Sequence, residues 1–303
     1  MIRLWPVPED QDGGRIDAVL AALSGMSRAT CASLIDDTRV QLNDKHVAKS
    51  ARVQFGDVIE VDLPDPDLHD PEPTVELPIV HQDSDLVVVD KPAGVAAHSS
   101  PGWSGPTVIG SLEAMGHVLT AYGPTERKGI VHRLDVGTSG LMVVAKSERA
   151  YVSLKDQFRD REVHKLYHTL VQGRLDPSSG TIDAPIDRHP NSSYRFAVLD
   201  SGRPSITHYD TLDAFAYASL LEVHLETGRT HQIRVHMSAM KHPCCGDLTY
   251  GADPKLAAKL GLDRQWLHAV ELGFLHPGTD DQVRFRSEYA PDLASALEKV
   301  SEL

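Results

Sequence analysis

GIVHRLDVGTSGLMVVAK, residues 129–146, has the grammar of a strand, a tight loop and a second strand. Gly129, Ile130 and Val131 run in apolar, Leu141 to Ala145 run out apolar, and residues 135–140 between them are rich in turn formers. A carboxylate, Asp135, stands at the mouth of the loop. Arg133 lies two residues earlier on the same face of an extended chain, and Thr138 and Ser139 are bracketed by Gly137 and Gly140. On residue types alone this reads as a β-hairpin whose Asp and glycines make the turn, because both residues dominate turns for reasons unrelated to function.

Working outward, the C-terminal three quarters of the chain reads as many short strands with a few helices and lacks the strict strand–helix alternation of a doubly wound sheet. Residues 86–89 form a buried strand feeding the turn Lys91-Pro92-Ala93-Gly94. Helices are expected over 107–115, over 147–161 with Ser147 as N-cap, over 230–240 opened by Thr230, and over 291–300. Residues 219–225, SLLEVHL, alternate as a half-buried strand does. The pattern argues an α+β fold with a mostly antiparallel mixed sheet.

Upstream, residues 15–24 place Ile16, Val19, Leu20 and Leu23 at helical spacing, and Ser27 is an N-cap for a second helix through Asp36. Strands are expected at 40–42 and 46–48 around Asn43-Asp44-Lys45, with a further strand in GDVIEVDL from Gly56. Residues 1–63 thus form a small module. Residues 64–77, PDPDLHDPEPTVEL, hold four prolines and five acidic residues without a Lys or Arg, the composition of an extended linker. Residues 78–303 remain as the main domain.

With 303 residues and 41% hydrophobic content, the chain is long enough for one large core and a small module. No apolar run approaches the ~20 residues of a membrane span, and the start lacks the apolar core of a signal peptide, so the expectation is a cytoplasmic protein that makes no use of a membrane. Three cysteines, Cys31, Cys244 and Cys245, offer no disulfide framework. A net charge of −13 argues against a nucleic-acid partner. Residues 127–165 answer that objection locally, with nine basic side chains against five acidic. Solvated helix faces would give the same count.

The stretch HRLDVGTSGLMVVAK resembles the signature of the RluA/RluD-type pseudouridine synthases, HRLDxxTSGLxxxAK. The resemblance continues in DKPAGVAAH from Asp90, KLYHTLVQG from Lys165, APIDRHP from Ala184, GRTHQIRVHM from Gly228 and LHAVELGFLHP from Leu267. It implies a pseudouridine synthase fold whose cleft crosses the middle of the sheet. It implies Asp135 as nucleophile, Tyr167 as the active-site tyrosine and Arg234 as the arginine paired with the aspartate. Arg133 would fill the space left by the flipped uridine, and His132, Thr138, Arg188 and His231 would lie on the RNA side.

Residues 1–63 similarly resemble the alpha-L RNA-binding module of a ribosomal protein, with Arg15, Arg28 and Arg39 where that module faces phosphates. Thr38 and Asn43-Asp44 depart from its usual Gly and Asn-Gly, and residues 15–63 carry six basic and seven acidic side chains, so this is no basic patch. The blocks look most like the enzyme of the RluD kind, which acts on large-subunit ribosomal RNA. Transfer RNA is the runner-up target, and a noncatalytic RNA-binding assembly factor is the other class.

Pseudouridine formation needs a carboxylate at the sugar, a pocket for the detached base and no external cofactor. No metal is expected either. His231, His236, His242, Cys244 and Cys245 form the richest potential ligand set, but adjacent cysteines without a second CxxC or an HxE partner do not match zinc spacing. A nucleophile elbow, a P-loop and a dinucleotide fingerprint are absent, and no second carboxylate matches Asp135 as a glycosidase pair would require. The working expectation is a monomer whose partner is RNA.

Overall fold

The computed structural model describes residues 2–63, 73–100, 102–124, 127–192 and 194–303. The chain divides into two compact units, Met1–Pro71 and Glu72–Leu303.

In the smaller unit, β1 (Ile2–Pro6), β2 (Val40–Leu42), β3 (Lys45–His46) and β4 (Val58–Asp62) form an antiparallel sheet in the order β1-β4-β2-β3. Helix α1 (Ile16–Ser24) stops at Gly25 in the left-handed region, and α2 (Arg28–Asp36) starts at Ser27, whose Oγ accepts from Thr30 N at 3.1 Å. Ile16, Val19 and Leu20 of α1 pack with Leu34 and Ile35 of α2 onto Val40, Ile59 and Val61. The hairpin is tighter than the sequence suggests. Asn43 and Asp44 both take positive φ, 50° and 62°, and Leu42 pairs directly with Lys45. A two-residue turn of this kind matches the twist of its strands, so the strand expected at 46–48 is Lys45–His46 instead.

The larger unit is built on a nine-stranded sheet. Its strands are β5 (Ile79–Gln82), β6 (Leu86–Lys91), β7 (Ser139–Ala145), β8 (His164–Gln172), β9 (Ser179–Asp183), β12 (Ile206–Ala214), β13 (Ala218–Leu225), β14 (Leu267–Leu275) and β15 (Gln282–Arg286). A separate hairpin joins β10 (Ile186–Arg188) to β11 (Phe196–Val198). The order is β5-β6-β7-β14-β8-β13-β12-β9, and all named pairs are antiparallel except β7 with β14. This bears out the expected α+β class.

Alternation along β6 and β7 sends Val87, Val89, Met142 and Val144 into one core and Leu86, Val88, Leu141 and Val143 into another. The first core includes α3 (Val108–Ala114) and α5 (Gln232–Ala239), and α4 (Glu148–Asp160) covers the second through Leu154 and Phe158. Helices α6 (Pro254–Leu260) and α7 (Pro291–Ser301) close a third around Trp266.

The sheet forks at β14. Strand β7 pairs with it only through Ser139 and Gly140, and β15 takes the rest of that edge from Glu271 onward. The loop carrying Asp135 enters at this fork. The apolar arm 129–131, expected as a strand, makes a single bridge from Ile130 to Val144. His132 supplies the next link with its side chain, Nε2 accepting from Val143 N at 3.0 Å. The stretch is therefore a pinned loop beside one strand, and the hairpin reading is corrected.

Two other expectations shift. Helix α5 spans Gln232–Ala239 with His231 at its N-cap in the left-handed region, φ 59°, in place of the helix expected from Thr230. Gln232 serves that helix end, its Oε1 accepting from Arg229 N at 3.0 Å and from Thr227 Oγ1 at 2.8 Å. Residues 64–72 of the acidic proline-rich stretch lie outside the described residues. Its far end is no tether: Val75 N donates to Ser111 Oγ at 3.2 Å and Leu77 is buried in the main core.

Gly140 is the tightest point of the fork. Its φ is +112°, and a Cβ there would stand 2.3 Å from Ala269 O. Gly140→Ala is expected to add backbone strain to overpacking, roughly 3 kcal/mol or more together, read as a lowered denaturant midpoint for the larger unit.

Candidate active site

Four consecutive residues of the entering loop are each held by a named donor or acceptor. Asp135 O accepts from Thr138 N at 3.0 Å, and Val136 O accepts from Gly94 N at 2.9 Å and from Lys91 Nζ at 3.3 Å. Gly137 O accepts from Arg264 Nη1 at 3.0 Å, and Thr138 Oγ1 accepts from Gln265 Nε2 at 3.1 Å. A Cβ at Gly137 would lie 2.6 Å from Gln265 Oε1 and would push against the amide that holds Thr138. With its backbone so fixed, the loop presents the Asp135 side chain to a cavity of about 100 Å³ lined also by Arg133, Thr138, Tyr167, His231 and Arg234.

Lys91 is fully buried at the end of β6, donating also to Pro92 O at 3.0 Å and Val95 O at 2.9 Å. Burial pushes its pKa down to about 7, and the negative charge of Asp135 opposes that fall. Its three N–H groups thus meet three carbonyls, one of them beside Asp135.

Arg234, on the first turns of α5, reaches Asp135 Oδ2 with Nη1 at 3.3 Å. Its other edge makes a two-point contact with Asp247, Nε to Oδ2 at 2.7 Å and Nη2 to Oδ1 at 3.0 Å. Side-chain exposures of 9% for Arg234 and 1% for Asp247 make this a desolvated pair. The guanidinium also lies 4.9 Å from the centroid of the Tyr250 ring. Although burial opposes it, the hydrogen bonds and charge of Asp247, with Asp135 behind, hold the Arg234 pKa above its ordinary value.

Tyr250 fixes a second neighbour of Asp135. Its hydroxyl accepts from Phe196 N at 3.0 Å and is hydrogen-bonded to His231 Nδ1 at 2.8 Å. The other ring nitrogen of His231, Nε2, faces Asp135 Oδ2 at 3.9 Å. Burial lowers the His231 pKa.

Tyr167, on β8 between Ala269 and Val223, is buried with its ring in the cavity wall. Among the described residues its hydroxyl has no hydrogen-bond partner. Burial, and then the charge of Asp135, raise its pKa, so the phenol keeps its proton.

The structure thus gathers Asp135, Tyr167, Arg234, Arg133, Thr138 and His231 around one cavity. Arg188 lies on the neighbouring hairpin, its guanidinium 5.6 Å from the centroid of the Phe196 ring, which in turn meets His231 edge-on. His132 lines a neighbouring groove and also has a structural role. It stacks on Phe158 at 4.5 Å and holds Val143 N, and burial together with the Lys165 charge pushes its pKa down to about 3.

In the smaller unit, Arg15 and Arg28 both contact the Asp17 carboxylate at 3.1 Å. Arg39 is half-buried with Nη1 closed off from solvent. The histidines and cysteines near α5 do not converge as ligands. His236 is taken by Thr207 and Ala184 O, His242 by Gln172 O, and Cys244 by Thr169.

Sequence reading missed Lys91, Asp247 and Tyr250. A lysine ending the buried run LVVVDK was a usable cue, since a charge there must find partners. Asp247 and Tyr250 follow turn residues after α5, and no periodicity marks them.

Removing Arg234 leaves Asp247 buried and unpaired. Arg234→Ala is expected to cost about 3–5 kcal/mol of stability, and adding Asp247→Asn to recover a good part of it. Urea unfolding of the single and double variants tests this.

A family model described as RNA pseudouridylate synthase matches residues 85–239. The chain is 57% identical over 298 residues, 97% of both chains, to an uncharacterized RNA pseudouridine synthase of Mycobacterium bovis. It is 38% identical over 312 residues, 99% of this chain and 93% of the other, to ribosomal large subunit pseudouridine synthase D of Xanthomonas campestris. Among solved structures, human RNA pseudouridylate synthase domain containing 1 aligns with a TM-score of 0.59 at 28% identity, over 73% of this chain and 87% of that one. A sheet forked around a pinned carboxylate loop, a full-length relative at 57% identity and a matching family model lead to one conclusion: the chain belongs to the RNA pseudouridine synthases of the RluA/RluD type.

Proposed function

We propose that this enzyme isomerises uridines of large-subunit ribosomal RNA with Asp135 as its nucleophile, without a metal or cofactor. The observation that carries the reading is Asp135 held by a pinned backbone in a cavity between the Tyr167 ring and the doubly anchored Arg234. The reaction breaks the bond between C1′ and N1, turns the base, and joins C1′ to C5. The C5 proton leaves and N1 gains one, so the product is an isomer. Asp135 meets the sugar as an anion, either by bonding to C1′ or by taking the C2′ proton. Both routes use a carboxylate whose negative charge Arg234 compensates.

Tyr167 offers a flat apolar wall to the detached base and a neutral hydroxyl as donor or acceptor to it. Taking a uridine out of its stack costs a few kcal/mol, and Arg133 at the rim of the cavity is the side chain to occupy the vacated place. Thr138, with Oγ1 committed to Gln265, shapes the floor.

Ribosomal RNA is favoured over transfer RNA by full-length relatives named ribosomal large subunit pseudouridine synthase D in Xanthomonas campestris and Zymomonas mobilis, each 38% identical. A noncatalytic binding factor would have no use for a carboxylate so elaborately held. The working form is a cytoplasmic monomer, and residues 1–63 add affinity for large RNA through Arg15 and Arg28, which Asp17 holds side by side.

Pseudouridine mapping across total RNA from cells with and without the protein is expected to show losses confined to large-subunit ribosomal RNA. Losses in transfer RNA alone would overturn the target. Asp135→Asn keeps the side-chain size and removes its charge. It is expected to abolish isomerisation while RNA affinity stays within a few-fold, whereas turnover by that variant would remove Asp135 from the nucleophile role.

Residues 73–303 alone are expected to turn over a short stem-loop at the full-length rate at saturation. They should need more ribosomal RNA to reach it and show a shallower dependence of affinity on salt. Equal salt slopes for the two chains would reduce residues 1–63 to a structural appendage.

A further inference from the structure

Beside the Asp135 cavity runs a second groove of about 380 Å³, and the two share Arg133, Tyr167 and Arg229 in their walls. Its floor is Lys165, which precedes Tyr167 by two residues on β8 and so projects from the same face of the sheet. Arg159 and Arg161 at the end of α4 complete the basic lining, and Glu226 is its one carboxylate.

The ion pairs sort these cations. Arg159 is taken by Asp156 and Asp160, and Arg161 by Glu226, which also meets His208 at 2.8 Å. Lys165, Arg133 and Arg229 have no carboxylate partner among the described residues. Lys165 is half-buried with Nζ 6.0 Å from the centroid of the Phe158 ring. Burial, and next the charge of Arg161, lower its pKa, so the free groove disfavours its charge and an incoming anion would relieve that. Next to it, His132 is neutral and adds no repulsion.

We propose that this groove is a phosphate subsite: Lys165, with Arg229 opposite and Arg133 at the junction, holds the backbone phosphate of a nucleotide adjacent to the flipped uridine. The proposal rests on the RNA reading above and adds to it the residue that grips the flanking strand. An unpaired cation, partly desolvated, at the floor of a groove that opens into the reaction cavity is placed to bind an anion covalently linked to the reacting sugar. The competing role for Lys165 is packing alone, its methylene stem lying against Phe158.

Lys165→Met keeps the stem and removes the charge. In the full-length protein, affinity for a large-subunit ribosomal RNA transcript is expected to fall on the order of tenfold, the scale of one charge-assisted hydrogen bond. The slope of log affinity against log salt should flatten by about 0.7–0.9. Lys165→Arg should recover affinity to within a few-fold, and Lys259→Ala on the exposed side of α6 should match wild type.

A short RNA carrying one neutral methylphosphonate next to the target uridine should weaken wild type but add little to the loss in Lys165→Met. Wild-type affinity and slope in Lys165→Met, or full additivity with the neutral linkage at both flanking positions, overturns the subsite. Absence of pseudouridine from wild-type reactions would instead overturn the function and leave the affinity comparison to be judged separately.

Discussion

The site depends on one buried guanidinium. Arg234 is taken out of water between two carboxylates and above an aromatic ring, and its two edges do different work. The edge toward Asp247 makes the short two-point contact, which compensates the desolvation of both groups and locks the fork of the side chain. The edge toward Asp135 makes a single longer contact at 3.3 Å. That asymmetry leaves the Asp135 carboxylate charge-compensated yet not fully claimed, with oxygen lone pairs available to a substrate. A symmetrical salt bridge would have occupied the same atoms.

Backbone capture does for the loop what Asp247 does for the arginine. Lys91, Gly94, Arg264 and Gln265 come from both sides of the fork and each takes an atom of residues 136–138. Because the donors belong to β6, the turn after it and the approach to β14, the position of Asp135 is a property of the assembled sheet. Free loops carry function at the expense of precision, and a pinned one keeps both. Tyr250 extends the same economy, since one ring carries Arg234 on its face and orients His231 with its hydroxyl.

Net charge and local charge point in opposite directions, and the structure reconciles them. Part of the acidity neutralises particular cations: Asp156 and Asp160 on Arg159, and Glu226 on Arg161. Of the cations without a carboxylate partner among the described residues, Arg133, Lys165 and Arg229 line the groove beside the reaction cavity. An acidic protein can therefore meet RNA through a few unpaired cations whose field is not averaged away by distant carboxylates, which salt screens beyond about 8–10 Å.

The sequence by itself determined the class of fold, most of the helices, several of the strands and, through its resemblance to a known family, the chemistry. The apolar run LVVVDK, the alternation in SLLEVHL, the caps Ser27 and Ser147, and the HRLD, KLY and HQIR blocks are local signals that survive without tertiary context. Only the tertiary structure decided who partners whom. Asp135 and Arg234 lie 99 residues apart, and Asp247 enters as a third member with no spacing to announce it. His132 reads like a substrate contact because it sits next to Arg133, and it also completes a ladder that the 129–131 arm fails to form. Ladder closure, charge compensation and desolvation are set by distances across the sheet, and a sequence records only distances along the chain.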